Sequence, residues 1–155
     1  MIRPSTSAPD FELLTDEGTS LRLSSLRGRP VVLYFYPADD TPGCTTQACA
    51  LRDDFPEFES RGAVILGVSP DSVESHRRFK AKYNLPFTLL ADTDHQVAEQ
   101  YGVWKEKSMF GRSYMGVERT TFVIDPEGRV AFVFERVKPA THATDVAEAL
   151  RTIES

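Results

Sequence analysis

Two continuous apolar runs, at residues 31–36 and 63–68, constrain the fold of this chain more than any other feature. Runs that are apolar throughout, rather than at alternate positions, are typical of strands buried on both faces of a parallel sheet. Between them, residues 45–61 carry apolar side chains three to four positions apart, which is the spacing of an amphipathic helix. The sequence therefore predicts a strand–helix–strand unit and an α/β fold.

Shorter elements on either side complete a central mixed β-sheet flanked by helices. Turn residues at 15–19 and at 125–128 each separate two short apolar segments, which predicts a hairpin near each end of the chain. The predicted hairpin strands are residues 11–14 and 21–23, then 121–124 and 130–134. A further strand at 87–90 and helices at 72–83, 96–101 and 145–153 are also predicted. At 155 residues, the expectation is a single domain, 1–155.

Charge and hydropathy disfavour nucleic-acid and membrane partners. The net charge is −5, and the densest basic patch, residues 76–82, is interpreted as a solvent-exposed helix face. The longest apolar run is far shorter than the ~20 residues that span a bilayer. No apolar stretch follows the first residues, so we expect no signal peptide and a cytoplasmic, reducing location. Two cysteines are too few for a disulfide scaffold, and three scattered histidines predict no metal site.

Cys44 lies at the predicted start of the helix, just after the first buried strand. Free backbone N–H groups of a first helical turn and the helix dipole both stabilise a thiolate relative to a thiol. Cys44 is therefore a candidate nucleophile. The alternative is an inert cysteine that packs as a small buried hydrophobic residue.

Cys49 follows five residues later on the same predicted helix. In an ideal helix these positions are about 140° apart around the axis, and their Cα atoms are roughly 8–9 Å apart. A disulfide needs Cα atoms within about 7 Å, so the two sulfurs can bond only if the helix unwinds. A permanent structural disulfide and a metal site on this pair are both disfavoured. The remaining functional hypothesis is a nucleophile with a partner thiol reached through a conformational change.

Three other residues are candidates for the surroundings of the Cys44 sulfur. Peroxide oxidises a thiolate to sulfenic acid, which a second thiol can capture, and the leaving oxygen needs hydrogen-bond donors. The Thr41 hydroxyl, three residues earlier, can reach the same pocket, and Pro37 can shield the sulfur from water. Arg119 is the candidate cation, although a surface arginine is the alternative interpretation. Gln47 and the acids at 39–40 are near this site in the sequence and are candidates to tune it, although the two acids are more simply interpreted as solvated loop residues.

Residues 37–44, Pro-Ala-Asp-Asp-Thr-Pro-Gly-Cys, fit the peroxiredoxin pattern Pro-x-x-x-Thr-x-x-Cys. Residues 45–53, with the second cysteine five positions on, resemble the bacterioferritin-comigratory, or peroxiredoxin Q, subgroup. Other stretches agree with the same subgroup, and together they extend the resemblance over essentially the whole chain: 34–37, 66–69, 87–90, 101–104 and 119–125. The resemblance implies a thioredoxin-like fold with an N-terminal β-hairpin extension, and a thiol-dependent peroxidase active in antioxidant defence.

The resemblance also implies roles for individual residues. Cys44 would be the peroxidatic cysteine, in a pocket formed by Thr41, Arg119 and Pro37, and Cys49 the resolving cysteine that forms an intramolecular disulfide with it. The expected substrates are hydrogen peroxide and organic hydroperoxides, and the expected reductant is a thioredoxin or glutaredoxin-like protein. No cofactor is implied. We expect a monomer, with a weak homodimer as the alternative.

Two other classes of function compete with this interpretation. A disulfide oxidoreductase on the same fold would exchange thiols without peroxide, but the chain has no Cys-x-x-Cys sequence. A non-enzymatic holdase or interaction module would need a large apolar surface, and the apolar segments are already assigned to the core. Oxidation of dithiol substrates without peroxide, or client protection that survives loss of both cysteines, would distinguish them.

Overall fold

A mixed seven-stranded sheet forms the centre of the molecule in a computed structural model that describes residues 2–154. The strands of the chain are β1 (Glu12–Thr15), β2 (Ser20–Arg22), β3 (Val31–Phe35), β4 (Val64–Ser69), β5 (Thr88–Ala91), β6 (Trp104–Met109), β7 (Arg112–Val117), β8 (Thr120–Ile124) and β9 (Val130–Phe134). The sheet order is β2-β1-β5-β4-β3-β8-β9, with β3, β4 and β5 parallel and the other pairings antiparallel. Met1 and Ser155, the ends of the expected 1–155 domain, lie outside the described residues.

Helices cover both faces of this sheet, which confirms the predicted α/β class. They are α1 (Pro42–Asp53), α2 (Phe55–Ser60), α3 (Val73–Tyr83), α4 (Gln96–Gln100) and α5 (His142–Glu154), together with a 3₁₀ turn at Leu23–Leu26. Buried side chains of α1, α2, α3 and α5 share one hydrophobic core, whereas those of α4 and the 3₁₀ turn share the other.

The predicted strand–helix–strand unit is present, with β3 and β4 parallel neighbours in the register Leu33↔Leu66. Every residue of β3 is buried. Its side chains alternate between the two cores, so that Tyr34 packs on the α1 side while Leu33 and Phe35 pack on the α4 side. Both apolar faces of the strand are therefore buried at the centre of the sheet, one in each core.

The prediction of a single helix over residues 45–61 is wrong in two respects. The helix already begins at Pro42, and it is interrupted at Asp54. Pro56 accounts for the interruption, because it has no N–H to donate and its ring would collide with the carbonyl of Arg52 in a continuous helix. Pro42 is tolerated because the first residue of a helix needs no N–H donor.

The β6–β7 hairpin was not predicted from the sequence. Its strands are mostly polar or charged and show no alternation, while its turn, Phe110-Gly111, has positive φ values of 53° and 77°. The Phe110 side chain is 97% exposed. The other hairpins occur where they were predicted, at β1–β2 and β8–β9. No helix among the described residues is long and apolar enough to cross a bilayer.

Candidate active site

Cys44 is the third residue of α1 and is 1% exposed. Thr41 is the extended N-cap residue, and the first helical hydrogen bond runs from the Thr45 N–H to the Thr41 carbonyl at 2.8 Å. The N–H groups of Gly43 and Cys44 precede that bond and so have no acceptor within the helix. The first turn that carries Cys44 therefore has free N–H donors at the positive end of the helix dipole.

Arg119, just before β8, packs against the same turn of α1. Its Nη2 lies 3.0 Å from the position that a Cβ atom on Gly43 would occupy, and its Nη1 donates a 2.7 Å hydrogen bond to the Gln47 Oε1. Gly43 is thus the residue that allows the guanidinium to approach the helix. The structure therefore brings the predicted cation beside the residue that precedes Cys44.

Thr41 is exposed, and its hydroxyl donates to the Ala38 carbonyl at 2.9 Å. A hydroxyl has one proton to donate and lone pairs to accept with. While this bond stands, the Thr41 hydroxyl can accept a further hydrogen bond but cannot donate one. Pro37 is half-buried in the same loop, between β3 and α1.

Cys49 is half-buried on α1, and both cysteines are free. Because α1 is unbroken from Pro42 to Asp53, the ideal helix dimensions apply and the two Cα atoms are roughly 8–9 Å apart. The pair is therefore placed as the spacing predicted, outside bonding distance in an intact helix.

A buried chain of polar side chains lies behind Arg119. The Nε2 of Gln47 is 3.1 Å from the Nδ1 of His142, whose Nε2 is 2.7 Å from the Thr121 hydroxyl. Gln47, His142 and Thr121 are each 0% exposed. The sequence placed Gln47 near the site but gave no sign of His142 or Thr121, because α1, α5 and β8 are distant in sequence and no spacing links them.

Asp39 and His76 are not solvated, contrary to the sequence interpretation. The Asp39 carboxylate accepts hydrogen bonds from the Tyr36 hydroxyl at 2.6 Å and the Ser75 hydroxyl at 2.8 Å. The same carboxylate lies 2.7 Å from the Nδ1 of His76, which is 0% exposed. His76 lies with Phe79 on the buried side of α3, so a basic sequence patch contains a buried residue. Asp39 thereby fixes the loop before α1 to α3.

Asp39, Asp71 and His76 are also close enough to hold a metal ion in principle. The Asp71 Oδ2, however, already accepts from the Asp39 N–H at 2.7 Å and the Ser69 hydroxyl at 2.6 Å. The cluster is therefore satisfied by protein donors, and its chemistry gives no reason to place an ion there.

The end of α3 contacts both ends of α1. The Asp40 carboxylate, before α1, accepts from the Lys82 ammonium at 2.7 Å and the Tyr83 hydroxyl at 2.6 Å. These hydrogen bonds lower the pKa of the exposed Asp40. Arg52, near the end of α1, donates to the Tyr83 carbonyl at 2.8 Å. These contacts lie on either side of the Cys44–Cys49 segment of α1.

Acidification should destabilise the protein through His142. Burial, and secondarily the charge of Arg119, lowers the pKa of His142 from 6.5 to about 4. At pH values between about 4 and 6.5, His142 is protonated in the unfolded chain but neutral in the folded protein. The free energy of unfolding should therefore fall by about 2–3 kcal/mol as pH drops from 7 to 4.5. Urea denaturation at both pH values should show a smaller loss in His142→Asn than in the unsubstituted protein. Equal losses would contradict the assignment.

Comparisons with known proteins identify the family and the fold. The chain matches a model of the AhpC/TSA family over residues 4–133. It is 54% identical over 147 residues to peroxiredoxin Bcp of Bacillus subtilis, covering 95% of this chain and 92% of the relative.

A structure of the Xanthomonas campestris bacterioferritin comigratory protein is similar with a TM-score of 0.92 and 40% identity, covering 99% of this chain and 100% of the other. A mutant of Xylella fastidiosa PrxQ is similar with a TM-score of 0.94 and 34% identity, covering 100% of this chain and 99% of the other. The predicted thioredoxin-like fold is thereby confirmed.

Proposed function

The chain belongs to the AhpC/TSA family of peroxiredoxins, and we propose that it reduces hydrogen peroxide and organic hydroperoxides through a sulfenic acid on Cys44 and a Cys44–Cys49 disulfide. The observation that carries the proposal is a buried thiol in the first turn of α1, with the Arg119 guanidinium packed against the same turn. Residues 1–155 would act as one peroxidase domain.

In the first step, the Cys44 thiolate attacks the terminal oxygen of the hydroperoxide. An S–O bond forms as the O–O bond breaks, the sulfur is oxidised to sulfenic acid, and the alcohol or water leaves after taking up a proton. Negative charge develops on the separating oxygens, where Arg119 and the free N–H groups of the first turn can stabilise it. Thr41 can accept the hydrogen bond of the peroxide O–H, and Pro37 would shield the sulfur from water.

In the second step, the sulfur of Cys49 attacks the sulfenic sulfur of Cys44. An S–S bond forms and the hydroxyl of the sulfenic acid leaves as water. The Cα separation of roughly 8–9 Å requires α1 to unwind first. The contacts of Asp40 and Arg52 with the end of α3 flank the segment that would unwind.

In the third step, an external dithiol reduces the disulfide by exchange and is itself oxidised to a disulfide. We propose a thioredoxin or glutaredoxin-like protein in this role, in the cytoplasm, and a monomeric peroxidase, because both cysteines lie on one chain. The chemistry is that of sulfur alone and calls for no cofactor. The similar Xanthomonas campestris protein has alkyl peroxide reduction activity, which supports organic hydroperoxides as substrates here.

The proposal is tested by stopped-flow oxidation of the reduced protein with hydrogen peroxide and an alkyl hydroperoxide. Thioredoxin and glutaredoxin are then supplied in turn as reductants. Non-reducing peptide mapping after one equivalent of peroxide should recover a Cys44–Cys49 disulfide within one chain. A protein that reacts with neither peroxide above the rate of a free thiol is not a peroxidase.

Replacing Cys49 with serine should separate oxidation from turnover. The variant should consume one equivalent of peroxide at the rate of the unsubstituted protein, because Cys44 and Arg119 are unchanged. Steady-state turnover with thioredoxin should fall at least about tenfold, since no intramolecular disulfide can form. A coupled thioredoxin assay measures this. Unchanged turnover would mean that the reductant attacks the sulfenic acid directly.

A further inference from the structure

We propose that His142 positions Arg119 by fixing the orientation of the Gln47 side-chain amide. This inference rests on the function proposed above, because it concerns the guanidinium that would stabilise the reacting oxygens. His142 does not contact Cys44 in this scheme and acts through Gln47 and Arg119.

The donors and acceptors of the buried chain can be assigned from one end to the other. A guanidinium only donates, so the Gln47 atom that faces Arg119 at 2.7 Å must be the carbonyl oxygen Oε1. The Gln47 atom that faces His142 at 3.1 Å is then the NH₂ group, which only donates. The His142 Nδ1 must therefore accept, and a neutral imidazole carries its proton on Nε2.

The Thr121 hydroxyl explains how this tautomer is held. It lies 2.7 Å from the His142 Nε2, so its oxygen accepts the Nε2–H proton. His142 is thus an acceptor toward Gln47 only while it is neutral and donates to Thr121. In the other tautomer, or as an imidazolium, its Nδ1–H would face the Gln47 NH₂ group. Gln47 would then have to turn its amide over and present NH₂ to the guanidinium, two donors facing one another.

The surroundings of His142 favour the neutral form. Arg119 is the charged group that acts on it, and together with burial it lowers the pKa of His142 to about 4. From β3, the ring of Tyr34 lies 6.0 Å away, and burial raises the pKa of Tyr34, which keeps its phenol neutral. From α1 and β8, the facing groups are the neutral Gln47 and Thr121. On α5, the helix that carries His142, the acidic residue in the first turn is Asp145.

The first test is direct observation of the tautomer in the reduced protein. At neutral pH, ¹⁵N NMR should show His142 unprotonated at Nδ1 and protonated at Nε2. Thr121→Val, which keeps the shape but removes the acceptor, should shift the ring toward the Nδ1–H form and slow the oxidation of Cys44. An Nδ1–H or doubly protonated ring in the unsubstituted protein would overturn the proposal.

The second test compares two replacements of His142. His142→Asn retains an acceptor at the δ position and should oxidise within about threefold of the unsubstituted rate. His142→Phe removes the acceptor and should oxidise about ten to a hundred times more slowly, because a guanidinium that is displaced stabilises the reacting oxygens poorly. Equal rates for the two variants would overturn the proposal. If His142→Phe does not fold, the Thr121→Val comparison decides the question by itself.

A double-mutant cycle separates positioning of Arg119 from a general structural effect. In an Arg119→Met background, His142→Phe or Thr121→Val should slow oxidation by less than about twofold, because the group it positions is gone. The same slowing with and without Arg119 would overturn the positioning role. Failure of the proposed function is distinguishable, since the unsubstituted protein would then show no peroxidase activity.

Discussion

Replacing Cys44 with serine should lower the rate constant for peroxide reduction by at least about 10³-fold, because a neutral hydroxyl cannot substitute for a thiolate nucleophile. The loss should be this large because the remaining cysteine cannot take over the role of Cys44. The chain has two cysteines, and Cys49 lies farther along the helix from the free N–H groups. Stopped-flow mixing with hydrogen peroxide and with an alkyl hydroperoxide measures the rate. Serine differs from cysteine by one atom, so the fold should be preserved.

Cys49→Ser is the matched control for this experiment, since it removes a thiol from the same helix. It should retain the fast first oxidation that Cys44→Ser loses. A Cys44→Ser protein that still reduces peroxide at the original rate would assign the chemistry to Cys49 or to another group. If both single variants are inactive in the first oxidation, the thiols act together and the division into nucleophile and resolving thiol is wrong.

The elements predicted best are those whose sequence signal is local and strong. The two apolar runs became β3 and β4, and the helix predicted at 72–83 became α3, where Ser72 accepts from the Ser75 N–H at 3.1 Å. The break at Asp54 was missed because the apolar spacing continues across it, although Pro56 was visible in the sequence. The β6–β7 hairpin was missed for the opposite reason, since its polar strands carry no periodic signal.

The candidate site divides in a similar way. The position of Cys44 at a helix start and its spacing from Cys49 are local properties, so they could be predicted from residues alone. Arg119 needed the family resemblance, because its approach to Gly43 depends on how β8 packs beside β3. Gln47 could be placed near the site from its position on the helix, but its partner His142 could not be predicted, because a tertiary hydrogen bond between buried neutral side chains leaves no pattern in a single sequence.

Removing the guanidinium of Arg119 should have the next largest effect. Arg119→Met keeps an unbranched side chain of similar reach but no charge or donor, and oxidation of Cys44 should slow by about 10²–10³-fold, as for loss of one donor to a developing oxyanion. Stopped-flow rates at several peroxide concentrations measure this, and the ultraviolet absorbance of the thiolate reports how much Cys44 is ionised. A loss of rate without a matching loss of thiolate would place the role of Arg119 in the transition state.

Arg119→Lys tests whether the charge alone is sufficient. The guanidinium uses one nitrogen on Gln47 and directs another at the first turn of α1, whereas a lysine ammonium is a single point charge that cannot do both in the same geometry. We therefore expect Arg119→Lys to recover only part of the rate lost in Arg119→Met. Full recovery would show that positive charge, and not the two-sided contact, is what the site requires. Rates for Arg119→Met equal to those of the unsubstituted protein would remove Arg119 from the proposed mechanism and leave the free N–H groups of the helix as the donors to the separating oxygens.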